Sequence, residues 1–127
     1  MTNFVCTITY GSAGTPATYV FAPAITASDV HPNDTMQFVF QAGTGAPAIS
    51  TVNKAVLIAG WKEHTSNPDS SPFANSQNDV DLLTESTLTI GNEMGKWGFV
   101  VTLAVVDTSG MTHFYYLPDP EVVVTPR

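Results

Sequence analysis

Two carboxylates two residues apart, Asp119 and Glu121, sit in the string "YLPDPEVVVTP" that runs from Tyr116 to Pro126. On an extended segment that spacing points both to one side, as a paired general acid and base would need. The flanking prolines favour a different role. Pro118 and Pro120 lack the N–H a central ladder would use, and each pushes the residue before it out of the helical region. Asp119 between them can accept backbone N–H bonds. Pro118, Asp119, Pro120 and Glu121 are therefore read as a structural joint. The chain should stay extended there, break pairing for about three residues, and resume on an edge or in the opposite sheet, a sheet switch.

Other chemistry-bearing types are scattered. The string "NSQNDVD" sets Asn75, Gln77, Asp79 and Asp81 at every second position, an oxygen-rich pattern that suits calcium. The glycine and terminal glutamate of an EF-hand loop are missing from it, and a solvated polar loop is the competing reading. His31, His64 and His113 are far apart and form no zinc-type pair. Cys6 lies on a strand-like run far from the hairpin around His113, so a blue-copper ligand set is not assembled. It reads as a small buried hydrophobe. No Gly-x-Ser-x-Gly elbow and no phosphate-cradling glycine loop occurs. No catalytic residue is assigned, no enzyme is expected, and no cofactor is expected.

Aromatic residues offer binding chemistry instead. Trp61, Phe73 and Tyr116, with His64 beside the first, could line a sugar or small-ligand site or an oligomer contact. Tyr115 and Tyr116 must face opposite sides of a strand, so one of them points outward.

These residues have to be positioned by strands. Residues 3–10 alternate Phe4, Cys6, Ile8 and Tyr10 against Val5, Thr7 and Thr9, a period-two pattern. Further strands are expected at 17–25, 35–41, 53–61, 86–90, 96–106 and 111–117, with "EVVVT" as a last short one. Residues 62–85 are polar, rich in Asn, Ser and Pro, and too long for an ordinary connection. The "DVDLL" within them could make one helical turn. About seven or eight short strands with Gly/Pro turns predict an all-β sandwich, one domain over 1–127. The string "NEMGKWGFVV" sharpens this to an immunoglobulin-like sandwich. Gly95, Trp97 and Phe99 match the turn, corner aromatic and core residue that open one strand of that fold, with tryptophan in place of tyrosine and no disulfide.

The closing "YYLPDPEVVVTP" resembles the signature of the DP-EP family of uncharacterised bacterial proteins, on Asp119, Pro120, Glu121 and the final Thr-Pro. That resemblance implies a bacterial origin and an immunoglobulin-like sandwich, and it implies no activity. The same C-terminal strand is also similar, more faintly, to bacterial inclusion-body proteins, which would imply a self-associating structural protein.

Composition narrows the partners. Four basic against eleven acidic side chains give a net charge of −7, so no basic face exists for nucleic acid or for an anionic membrane. No apolar run reaches the roughly 20 residues of a bilayer span. A single cysteine allows no intramolecular disulfide, and residues 1–12 read as a strand rather than a signal peptide. A cytoplasmic protein is expected. Low charge and open strand edges favour a non-enzymatic binding or self-assembly module, a homo-oligomer. The alternative is a carbohydrate- or small-ligand-binding domain built on the 62–85 loop.

Overall fold

The computed structural model describes residues 1–12, 14–25, 30–47, 51–62, 71–117 and 120–126, with backbone alone at 59–62 and at Ser76. Nine strands follow in chain order: β1 (Asn3–Tyr10), β2 (Thr18–Ala22), β3 (Thr35–Ala42), β4 (Thr51–Lys62), β5 (Asp79–Asp81), β6 (Thr87–Thr89), β7 (Gly95–Val106), β8 (Thr112–Leu117) and β9 (Glu121–Val124). One short 3₁₀ turn, Ala74–Ser76, is the only helical element among the described residues. No helix there is long and apolar enough to cross a membrane.

The strands form two sheets, one ordered β2-β1-β3-β6 and one ordered β5-β4-β7-β8, with β9 also on β7. This is an all-β sandwich of nine strands. The eight expected strands are all present, and β5 is the addition. β1 and β3 pair in parallel over eight residue pairs, Asn3↔Thr35 through Tyr10↔Ala42. A parallel pair cannot be closed by a tight hairpin. The chain between β2 and β3 instead passes the other sheet, where Val30 bridges Val124 and its carbonyl accepts Thr125 N–H at 2.9 Å.

Strand alternation places the core. Phe4, Cys6, Ile8 and Tyr10 of β1 meet Met36 and Phe38 of β3 on one inner face. Trp97, Phe99, Val101, Leu103 and Val105 of β7 line the other. The layers touch through Phe38 and Phe99, rings perpendicular and 5.9 Å apart, and through Tyr10 and Tyr115 at 5.3 Å. Each such buried side chain contributes about 1.5–3 kcal/mol by leaving water.

The aromatic corner at the start of β7 is built as the sequence suggests. Gly95 has φ 118°, a conformation closed to most L side chains. The buried Trp97 then turns its Nε1–H back to the Glu93 carbonyl, four residues upstream, at 3.2 Å. A corner tyrosine hydroxyl makes the equivalent bond in immunoglobulin-type sandwiches.

The expected sheet switch at the Pro-Asp-Pro joint does not occur. Pro118 and Asp119 lie outside the described residues. On either side of them the chain stays on the same edge of β7: Leu117 pairs with Val101 and Glu121 with Gly98. Four steps on this edge match three on β7, so the joint is a one-residue slip like a β-bulge. The expected three-residue break falls mostly on Pro118 and Asp119 and so lies outside the described residues. The ladder is carried across the gap by Phe99 N–H donating to the Pro120 carbonyl at 3.1 Å. The interior of the second sheet offers that carbonyl a ready partner, which removes any need to leave the sheet.

Candidate functional site: the outer face of the second sheet

The two outer faces of the sandwich differ in kind. On the first sheet, alternation and register set Thr7, Thr9, Gln37, Thr87 and Thr89 outward. On the second, the outward residues are largely apolar. Tyr116 lies across from Thr102, Phe114 from Ala104, and Val100 from Ile58. Thr102 in turn faces Val56. Phe114 is 76% exposed, and Tyr116 and Ile58 are each 51% exposed. Charged groups ring this face. Asp79 and Asp81 of β5 pair with Ile58 and Val56, and Lys54 pairs with Ala104. At the β9 end Lys96 Nζ lies 3.3 Å from Glu121 Oε2, both half exposed. An apolar centre with a charged border is the pattern of an association surface.

Of the residues proposed for ligand binding, Phe73 and Tyr116 are described with their side chains, and these two point to different places. Tyr116 points outward and Tyr115 inward, as alternation requires. Phe73 is a core residue and not a ligand contact: it is buried, bridges Ile90, and lies 6.3 Å from the Phe99 ring. The Ser71 hydroxyl holds the segment there, donating to the Gln77 carbonyl at 2.6 Å and accepting Phe73 N–H at 3.1 Å. The side chain had to be buried somewhere, and the loop supplies the backbone bonds that let it be. Trp61 lies in β4 where the ladder slips between Ala59 and Lys62; only its backbone is described. His64 lies outside the described residues.

Residues 71–85 of the polar segment are built into the sandwich rather than left as a solvated loop. Its later part is β5, paired with β4, and its Val80 and Leu82 enter the core. Past β5 a single hydrogen-bonded turn closes, Glu85 N–H donating to the Asp81 carbonyl at 2.9 Å. "DVDLL" is thus half strand and half turn. Two of the four calcium candidates are engaged with other groups. Asp81 Oδ1 caps the Leu83 N–H at 3.0 Å, and Gln77 Nε2 donates to Glu85 Oε2 at 2.7 Å. Asn75 is exposed with φ 63°, and Asp79 lies on the acidic border described above. Among the described residues no three His, Cys, Asp or Glu gather as a metal site.

Three features, two of them polar, were not singled out from the sequence. Asp34 is fully buried and ties three strands' ends together. Its carboxylate accepts Thr2 N–H and His31 N–H, both at 2.9 Å, and its backbone carbonyl accepts Ile90 N–H at 2.7 Å. The signal was the "HPND" turn, since Asp in a turn bonds its neighbours' backbone. His31 itself donates from Nδ1 to the Thr125 carbonyl at 2.9 Å.

The second is the β7–β8 turn, where Ser109, Asp107 and His113 meet. The order is wrong for nucleophilic catalysis. Asp107 sits between the other two, accepting Ser109 Oγ–H at 2.6 Å and His113 Nε2–H at 2.8 Å, so the imidazole does not reach the hydroxyl as a base. Bonds from the Ser109 hydroxyl, then His113, then the Met111 and Ser109 backbone hold the Asp107 carboxyl well below the usual carboxylate range. This is a turn cap.

The third is Phe114, legible in principle because it shares the outward phase of Tyr116.

Two inert groups complete the site survey. Burial pushes the Cys6 thiol up to about 12, so it stays protonated and unreactive at neutral pH. Burial, and then neighbouring Tyr10, raise the Tyr115 phenol, which donates to the Gly11 carbonyl at 2.8 Å. No family model, curated protein or solved structure matches the chain.

Proposed function

We propose that this protein is a non-enzymatic self-association module, a homo-oligomer joined through the outer face of the β5-β4-β7-β8 sheet. The observation that carries the reading is Phe114, an aromatic side chain 76% exposed beside Tyr116 on an apolar face. Covering a phenylalanine fully is worth about 1.5–3 kcal/mol, and a two-fold contact counts it twice. A Lys54 on the same face as Asp79 and Asp81 gives a second copy opposite charges to meet. Light scattering on the eluting peak tests it. The wild type should weigh a multiple of 13.5 kDa, and Phe114→Ser should lower that multiple. A wild type that stays monomeric at all concentrations overturns the reading. The rival reading, a carbohydrate- or small-ligand-binding domain on the 62–85 loop, loses Phe73 to the core.

Membership of the DP-EP family of bacterial proteins belongs to the same proposal. It is supported by the sequence string and by a sandwich whose last strand begins at Glu121. A buried free thiol at Cys6 fits a cytoplasmic setting.

A further inference from the structure

Strand β2 is an edge strand of the first sheet, bonded to β1 on one side. Four of its five residues are exposed, Val20 at 67% and Tyr19 at 39%, and Phe21 is half-buried. In an antiparallel edge, every second residue aims its N–H and C=O away from the sheet. Natural monomers blunt such edges with lysine, an inward charge or a bulge. β2 is short and flanked by Pro16 and Pro23, but it carries no charge and no register shift, and residues 1–28 hold no Asp, Glu, Lys or Arg at all. The net charge of −7 therefore resides entirely in residues 29–127. β2 is a surface where two such chains can approach without setting like charges against each other.

We propose that β2 is a strand-addition site, and that its occupant is β2 of a second copy, antiparallel, about a two-fold axis at Val20. The sequence "TYVFA" is self-complementary in that register. Val20 meets its own copy at the centre. Tyr19 lies opposite the partner's Phe21 twice over, on the side of the strand that faces the sandwich interior. Within one chain those two rings already stack edge-on at 5.4 Å. Aromatic cross-strand pairs are among the more stabilising in sheets. Pro16 and Pro23 flank the strand and lack N–H donors, which limits the added ladder to the residues between them. The result is a continuous eight-stranded sheet across two sandwiches.

This inference rests on the self-association reading, in that the partner is the chain itself, and adds a second contact to the first. Two independent two-fold contacts close a tetramer where their axes cross at right angles and extend into an open chain where they do not. Light scattering of four proteins separates them. The wild type should be a tetramer or a longer chain of copies; Val20→Lys alone and Phe114→Ser alone should each be a dimer; the double variant should be a monomer. If Val20→Lys keeps the wild-type mass while Phe114→Ser lowers it, the β2 contact is overturned and the face stands. The converse removes the face and keeps β2. A monomeric wild type removes both. Val20→Cys gives a second readout that needs no loss of assembly. Directly opposed residues lie close enough to bridge, and native Cys6 is buried. With diamide as oxidant, Val20→Cys should run as a linked pair on a non-reducing gel. A control with Thr89→Cys on β6 should not. A Val20→Cys band that remains at single-chain mass also overturns the β2 contact.

Discussion

Asp34 shows how one buried side chain can fix several segments at once. Its carboxylate holds two backbone N–H groups, one near the amino end and one at the turn before β3. Replacing it with alanine leaves both part-buried donors without that partner. Asp34→Ala should therefore destabilise the fold by about 3 kcal/mol, read from urea denaturation. A loss under 0.5 kcal/mol would show that water replaces the carboxylate at no cost. Cys6, by contrast, is a residue whose type promised chemistry and whose surroundings remove it. Its position on the inward phase of β1 was legible from alternation alone. Phe73 was harder: a lone aromatic in a polar stretch has no periodicity to reveal which way it turns.

Among the elements, the β7–β8 hairpin is the one most dependent on a charge. Asp107 in the folded state has its carboxyl held below the usual range, so folding favours the ionised form. The contribution is complete above the unfolded value of about 3.9 and is lost as pH falls through the folded value. Wild-type Tm should drop on going from about pH 5 to pH 3, and Asp107→Asn should show a smaller drop over that window. Equal drops would mean the turn's bonds do not couple to folding. The turn residues "DTSG" announced the hairpin; the ring of bonds around Asp107 became visible only once His113 was paired back beside Val105. β5 illustrates the opposite limit. Three residues, two of them acidic, carry no strand signal of their own, and pairing with β4 alone makes them one. The Pro-Asp-Pro joint lies between these cases. Proline chemistry predicts a break there, and the register on either side shows that the chain resumes on the same edge of β7, one residue out of step.

For the whole molecule, charge and surface oppose each other. Copies carrying −7 repel, while the apolar outer face and the uncharged β2 edge favour contact. Salt screens the first and leaves the second largely intact. Raising ionic strength from about 0.01 to 0.15 M, where the screening length falls from about 30 to 8 Å, should shift assembly to lower protein concentration. Analytical ultracentrifugation over a dilution series would detect it, and dissociation on adding salt would point to ion pairs as the main attraction instead.

Local chemistry along the chain was enough to expect eight of the nine strands and the inward and outward phases along them. Those properties are local: a two-residue period acts within a few positions. The tertiary structure decided which strands became neighbours, that β1 and β3 run in parallel, that Phe73 is core, and that one face is apolar while the other is rich in threonine. Those depend on pairing between residues far apart in the chain. An outward side chain gains its meaning from what the next strand sets beside it.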